Sequence, residues 1–222
     1  MSIANKLINL GTQISVGIDH CNEALIAKGG TEASTLWEVG DRIGEISDEN
    51  QDLIDMIEGD IVELVISDSV TSIADYALYW RTSLTSIVIP DSVASIGAAA
   101  FQNCTSLSSV AFGENSQLTS IDMNAFYECR SLTSIVAPNG VTIINSGTFR
   151  NCLLLESLIL TRTSSIVSLS STYSIANTKI ANGTGYIYVP QALLSEYQTA
   201  TNWSTYASQF RAIEDYPDII GG

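Results

Sequence analysis

Between Val70 and Leu160 the chain repeats itself. Val70, Ile73, Ala77-Leu78, Leu84, Ile87 and Ile89-Pro90 return as Val93, Ile96, Ala100-Phe101, Leu107, Val110 and Phe112. They return again as Leu118, Ile121, Ala125-Phe126, Leu132, Ile135 and Ala137-Pro138, and once more as Val141, Ile144, Thr148-Phe149, Leu155, Leu158 and Leu160. Successive copies are offset by 23, 25 and 23 residues, and the two extra residues fall in Gly113–Gln117, a turn where an insertion costs little. A half copy (Ile61, Leu64, Ile66, Asp68) precedes them, and Ile187-Tyr188-Val189-Pro190 repeats the last strand after a degenerate stretch from Thr161 to Gly185. A unit this short cannot bury its own apolar face, so the copies must stack into one continuous core.

Within each copy the period sets the local structure. In Leu84-Thr85-Ser86-Ile87-Val88-Ile89, alternation of period two turns Ile87 and Ile89 inward and Ser86 and Val88 outward. Stacking parallel strands at about 4.8 Å lines equivalent residues into columns. The Ala-Phe segment reads as helical or 3-10, with Phe101, Phe126 and Phe149 filling the far wall, and Pro90 and Pro138 end their strands. The pattern V-x-x-I-x-x-x-A-F-x-x-C-x-x-L-x-x-I-x-φ-P over residues 61–190 resembles the BspA-like, or treponemal, leucine-rich repeats of bacteria. That resemblance implies an α/β leucine-rich-repeat solenoid of parallel strands with short helical or 3-10 segments, and a binding or adhesion role without enzyme activity.

The flanks read as separate pieces: an acidic helical segment and cap over 1–60, the solenoid over 61–190, and a helical cap over 191–222. Ile3, Leu7, Leu10, Ile14, Ile18, Cys21 and Leu25 recur at helical steps, weakened by Gly11 and Gly17 and ended by Gly29-Gly30. This apolar seam is a candidate for homo-oligomerisation. Thr35 and Glu38 form a capping-box pair ahead of a second helix through Val39, Ile43 and Ile46. Residues 24–46 resemble a segment of structural and tail proteins of phages that infect gut bacteria, and residues 188–206 resemble the C-terminal cap that accompanies such repeats.

Charge separates the pieces further. Of the net −15, residues 1–68 contribute 14 acidic against three basic residues (−11), and residues 69–222 contribute 10 against six (−4). Nine scattered Lys and Arg do not make a nucleic-acid surface. No uninterrupted apolar stretch approaches the roughly 18 residues of a membrane span. Leu7–Ile18 is interrupted by Asn9, Gly11, Thr12 and Gln13 and does not read as a secretion signal, so synthesis and retention in a cytoplasm, with release in a virion, is the expectation.

Chemistry is hard to find. Cys104, Cys129 and Cys152 share one repeat position and should stack as parallel buried thiols; that arrangement suits neither a tetrahedral zinc site nor relaxed disulfide torsions. His20 and Cys21 point about 100° apart on a helix and lack an orienting acid. The acidic stretch 48–60 lacks the glycine and terminal glutamate of an EF-hand loop and reads instead as a helix covering the first coil. No catalytic residue, metal or cofactor is expected.

The candidate interaction surface is therefore the outward strand positions: Glu63 and Val65, Ser86 and Val88, Ser109 and Ala111, Ser134 and Val136, Ser157 and Ile159. They form a serine column beside an aliphatic column, with neither the aromatic nor the arginine anchors that dominate binding interfaces. Tyr79, Trp80 and Arg81 replace smaller residues of later copies and mark the first repeat as the better contact edge. The expected role is a phage-type virion or tail attachment module; a bacterial surface adhesin or host-interaction protein is the alternative. The partner is a protein or a cell-surface glycan, with no nucleic acid and no membrane insertion.

Overall fold

The computed structural model describes residues 63–219, and they form a stack of parallel-stranded coils. The expected N-terminal helices, the oligomerisation seam, the acidic helix over 48–60 and the His20-Cys21 pair lie outside the described residues.

Each coil has three walls. The long wall carries β1 (Glu63–Val65), β3 (Ser86–Ile89), β5 (Ser109–Phe112), β7 (Ser134–Ala137), β9 (Ser157–Leu160), β11 (Tyr186–Val189) and β12 (Phe210–Ala212). The short wall carries two-residue strands: β2 (Ser72–Ile73), β4 (Ser95–Ile96), β6 (Ser120–Ile121), β8 (Ile143–Ile144) and β10 (Ser168–Leu169). All pairings are parallel, and their register is that of the sequence repeat: Ile87 pairs Val110, Ile96 pairs Ile121, and Ile135 pairs Leu158. The short wall is one continuous five-stranded sheet. The long wall is two sheets, β1-β3-β5 and β7-β9-β11-β12, with no pairing between β5 and β7. The break adjoins the 25-residue coil, and Val110 and Phe112 at its lip are half-buried where Ile87 and Ile135 are fully buried.

The third wall is made of successive turns, and 3-10 helix proper enters only at Thr172–Ile175, in the last coil. Along it the backbone donors alternate. Ala99, Phe101 and Asn103 donate to the carbonyls of Met123, Ala125 and Tyr127 in the next coil (2.9, 2.8 and 2.8 Å). Gln102 and Cys104, between and after them, donate three residues back (both 3.1 Å). The first four described coils accomplish this with two left-handed residues four apart, Tyr76 and Trp80, Ala99 and Asn103, Asn124 and Glu128, Gly147 and Asn151, and the last coil keeps only Asn177. Asn and Gly are the residues that tolerate that conformation best, which explains their recurrence here.

The interior is a set of columns. Phe101, Phe126 and Phe149 stack nearly parallel, with centroids 5.0 and 5.6 Å apart. Beside them Cys104, Cys129 and Cys152 are free, buried thiols, each donating to a carbonyl of the preceding coil: Leu78 (3.1 Å), Phe101 (3.2 Å) and Phe126 (3.1 Å).

The stack ends in a cap containing α1 (Leu194–Thr199) and 3-10 turns at Gln191–Leu193 and Trp203–Gln209. Tyr197, Trp203 and Phe210 pack ring to ring at 5.5–5.9 Å over the last coil. The cap supplies with side chains what another coil would supply with backbone. The Val167 N–H donates to Tyr197 Oη (2.7 Å), Trp203 Nε1 donates to the Val167 carbonyl (2.7 Å), and Asn202 Nδ2 donates to the Leu169 carbonyl (2.7 Å). The free edge of β10 is thereby closed, which answers the need to satisfy buried backbone groups. Strand β12, inside the segment read as a helical cap, extends the long wall beyond it.

Candidate interaction surface

The residues singled out in the sequence fall on two walls. Ser86, Val88, Ser109, Ala111, Ser134, Val136, Ser157 and Ile159 lie on the long wall, and Tyr79, Trp80 and Arg81 lie on the turn wall of the first described coil. The structure does not merge the two sets into one patch.

On the long wall, the register joins Ser86 to Ser109 and Val88 to Ala111, then, beyond the break, Ser134 to Ser157 and Val136 to Ile159. Val88, Ser109, Ala111 and Ser134 are exposed; Ser86, Val136 and Ser157 are half-buried. Ile159 corrects the sequence reading, because it is fully buried and offers no surface. Its register neighbours are Val136 and Tyr188.

That neighbour reveals what the sequence reading missed. The serine column continues into Tyr186, opposite Ser157, and the aliphatic column continues through Tyr188 into Arg211. Arg211 lies over the Tyr186 ring at 4.2 Å, and Tyr188 meets Tyr216 edge to face at 5.3 Å. Burial, then the nearby Tyr216, push the Tyr188 hydroxyl up from its ordinary range. The long wall thus ends in the aromatic and arginine anchors that its first coils lack. The signal was present at Tyr188, whose strand repeats Ile87–Pro90; Arg211 could not be placed, because its strand is three residues long and follows a cap.

On the turn wall, Tyr76, Tyr79 and Trp80 form a trio of edge-to-face rings, with centroids at 5.7 and 6.2 Å. Tyr76 is 53% and Trp80 57% exposed. Along the stack, Tyr79 shares its column with Gln102, Tyr127 and Arg150, as the coil-to-coil backbone bonds Trp80 to Gln102, Asn103 to Tyr127 and Glu128 to Arg150 establish. The Arg150 guanidinium sits 5.8 Å from the Tyr127 ring and 5.2 Å from the Tyr173 ring. Beside this column, Glu128 takes hydrogen bonds from Arg130 and Asn151. Burial pushes its carboxyl up, but those two bonds outweigh it and hold the group below its usual range.

Reactive groups are insulated. Burial raises the Cys104 thiol to about 12, and it raises Cys129 and Cys152 as well, so all three are protonated at neutral pH and poor nucleophiles. Among the described residues, no group of three or more His, Cys, Asp or Glu is placed to hold a metal ion. No described helix is long and apolar enough to cross a membrane.

A family model described as the BspA type leucine rich repeat region matches residues 58–187 in six copies. Among solved structures, the leucine-rich repeat protein of T. pallidum is 26% identical, with 60% of this chain and 59% of that chain covered and a TM-score of 0.51. This chain therefore spans 59% of the treponemal protein's length. A leucine-rich repeat protein from Bacteroides capillosus is 32% identical over 44% of this chain and 75% of that one (TM-score 0.39). A leucine rich cell surface protein from Faecalibacterium prausnitzii is 20% identical over 59% and 48% (TM-score 0.35). No curated protein matches the chain.

Proposed function

The chain belongs to the BspA-type leucine-rich repeat family, and from that premise we propose that it is a non-catalytic interaction module acting at a bacterial cell surface, as an adhesin or host-interaction protein. The observation that carries this reading is the repetition of the surface itself. Each coil presents the same outward strand and turn positions in register, so one partner can be held across several coils at once. The apolar columns behind that surface are committed to packing, and their thiols are locked as donors to backbone carbonyls.

Virion attachment is the second reading. It rests on the likeness of residues 24–46 to phage structural proteins and on the helical seam before it, both outside the described residues. The structures compared above come from bacteria, which favours the surface reading.

The test is direct binding of the purified full-length chain, fluorescently labelled, to intact gut-bacterial cells and to immobilised host matrix proteins. Saturable binding that unlabelled chain displaces is the expected result. Binding to none of these surfaces beyond an albumin control refutes the interaction reading.

A further inference from the structure

The turn wall contains a choice that packing does not explain. Its left-handed positions are filled in the later coils by Ala99 and Asn103, Asn124 and Glu128, and Gly147 and Asn151: mostly Asn or Gly, which suit positive φ, and otherwise residues without an aromatic ring. In the first described coil the same two positions hold Tyr76 (φ 60) and Trp80 (φ 61). A bulky aromatic is disfavoured in this region, and an unfavourable backbone at a surface position points to use of the side chain. Both side chains are more than half exposed, so neither is there to fill the core.

The rings also recur along the wall. Tyr79 and Tyr127 occupy one column two coils apart, about 10 Å at the parallel-strand spacing. Arg150 and then Tyr173, which is 59% exposed, prolong the ridge. The side chain between Tyr79 and Tyr127 in their column is the Gln102 amide, with Asn103 next to it; the exposed aliphatic side chain of this wall is Met123. Charge along the ridge is balanced in number, with Asp75, Asp122 and Glu128 against Arg81, Arg130 and Arg150, and Glu128 pairs with Arg130.

We propose that this ridge is a binding site for an extended glycan, a β-1,4-linked chain of neutral pyranose units lying along the stack axis. The C–H face of a pyranose packs on an aromatic face, whose negative quadrupole attracts it, while its hydroxyls need amide partners at the edges. Rings two coils apart match alternate sugars of such a chain, and a near-neutral ridge suits a ligand without charge. The same Tyr, Trp and Arg side chains also suit a protein partner; the match of ring spacing to alternate sugars favours the glycan, and the protease arm of the experiment separates the two.

This inference rests on the interaction reading above, and the experiment separates the two. Full-length chain is titrated with chitohexaose, cellohexaose and, as a curved control, maltohexaose, by calorimetry and by tryptophan fluorescence. At least one β-1,4 hexaose is expected to bind at least tenfold more tightly than maltohexaose and, in a Trp37→Phe background, to change the emission of Trp80; Trp203 is fully buried. The double variant Tyr76→Asn/Trp80→Asn installs the residue type the later coils use, so its melting temperature should equal or exceed that of the wild type. It should bind the same hexaose at least tenfold more weakly. Tyr127→Ala should weaken binding in the same direction, and Val88→Ser on the long wall should not. Failure of both β-1,4 hexaoses to bind at millimolar concentration overturns the proposal, as does unchanged binding by the double variant. If intact cells bind wild type and double variant equally and lose binding after protease treatment, the partner is a protein. The glycan site then falls while the interaction reading stands. Absence of binding to cells, matrix proteins and glycans alike overturns both.

Discussion

Removing Phe126 tests whether the aromatic column carries the stability of the stack. Its ring is fully buried and lies between two others, 5.0 Å from Phe101 and 5.6 Å from Phe149, nearly parallel to each. Truncating a buried Phe to Ala costs about 3–5 kcal/mol, from lost transfer energy and the cavity left behind. Each aromatic pair adds about 0.5–1.5 kcal/mol beyond area burial, and Phe126 has two Phe partners where Phe101 and Phe149 have one each. Phe126→Ala should therefore sit near the top of the range, about 5 kcal/mol, and the two flanking variants about 1 kcal/mol below it. With a total stability of roughly 5–15 kcal/mol, such a variant is close to unfolding at room temperature. Urea denaturation followed by far-ultraviolet circular dichroism and by tryptophan fluorescence measures the differences, and a Phe101→Ala/Phe126→Ala cycle isolates the pair. A Phe126→Ala cost below about 2 kcal/mol, or one smaller than that of Phe101→Ala, would refute the argument that the middle of the column is its strongest point.

Four further outcomes follow from described contacts. The buried thiols have raised pKa values, so their contribution to stability is whole below the ordinary value of 9.0 and is lost as pH climbs towards about 12 for Cys104. Urea midpoints should accordingly fall by an amount equivalent to about 1 kcal/mol per thiol between pH 9 and pH 10, less steeply in Cys129→Ala. In a Cys21→Ser background, a thiol reagent should label none of the three until the chain unfolds. Gly147→Ala places a methyl at φ +71, against the exposed Asn124 amide oxygen. The amide can swing away, so thermal melting should report only the backbone penalty of about 1–2 kcal/mol. Trp203→Phe removes the 2.7 Å bond to the Val167 carbonyl and leaves a buried acceptor unpaired; a loss of about 1–3 kcal/mol and faster hydrogen exchange in β10 are expected. Unchanged exchange there would show that the edge is closed by something else.

The apolar columns were legible because each coil spends the same positions on Leu, Ile, Phe and Cys, and the strand register follows those positions residue for residue. The direction of the thiol hydrogen bonds was not, because it depends on where the preceding coil's carbonyls point. Recurring Asn103, Asn124, Asn151 and Asn177 carried the signal for left-handed turns, and the Ala-Phe segments read as helical or 3-10 because that signal went unused. Ile159 was placed on the correct face by alternation, yet alternation knows nothing of the Tyr188 strand that lies beside it. The anchors at the end of the long wall were hidden by the irregular spacing of 29 residues between Ser157 and its partner Tyr186.

The cap's side-chain bonds to β10 have an evolutionary consequence. They address backbone atoms, the Val167 N–H and carbonyl and the Leu169 carbonyl, and so make few demands on the residue types of the coil they close. Duplication or loss of whole coils upstream leaves that closure intact. A change in the number of coils would lengthen or shorten the exposed walls by unit steps, while the same cap side chains could close the short wall.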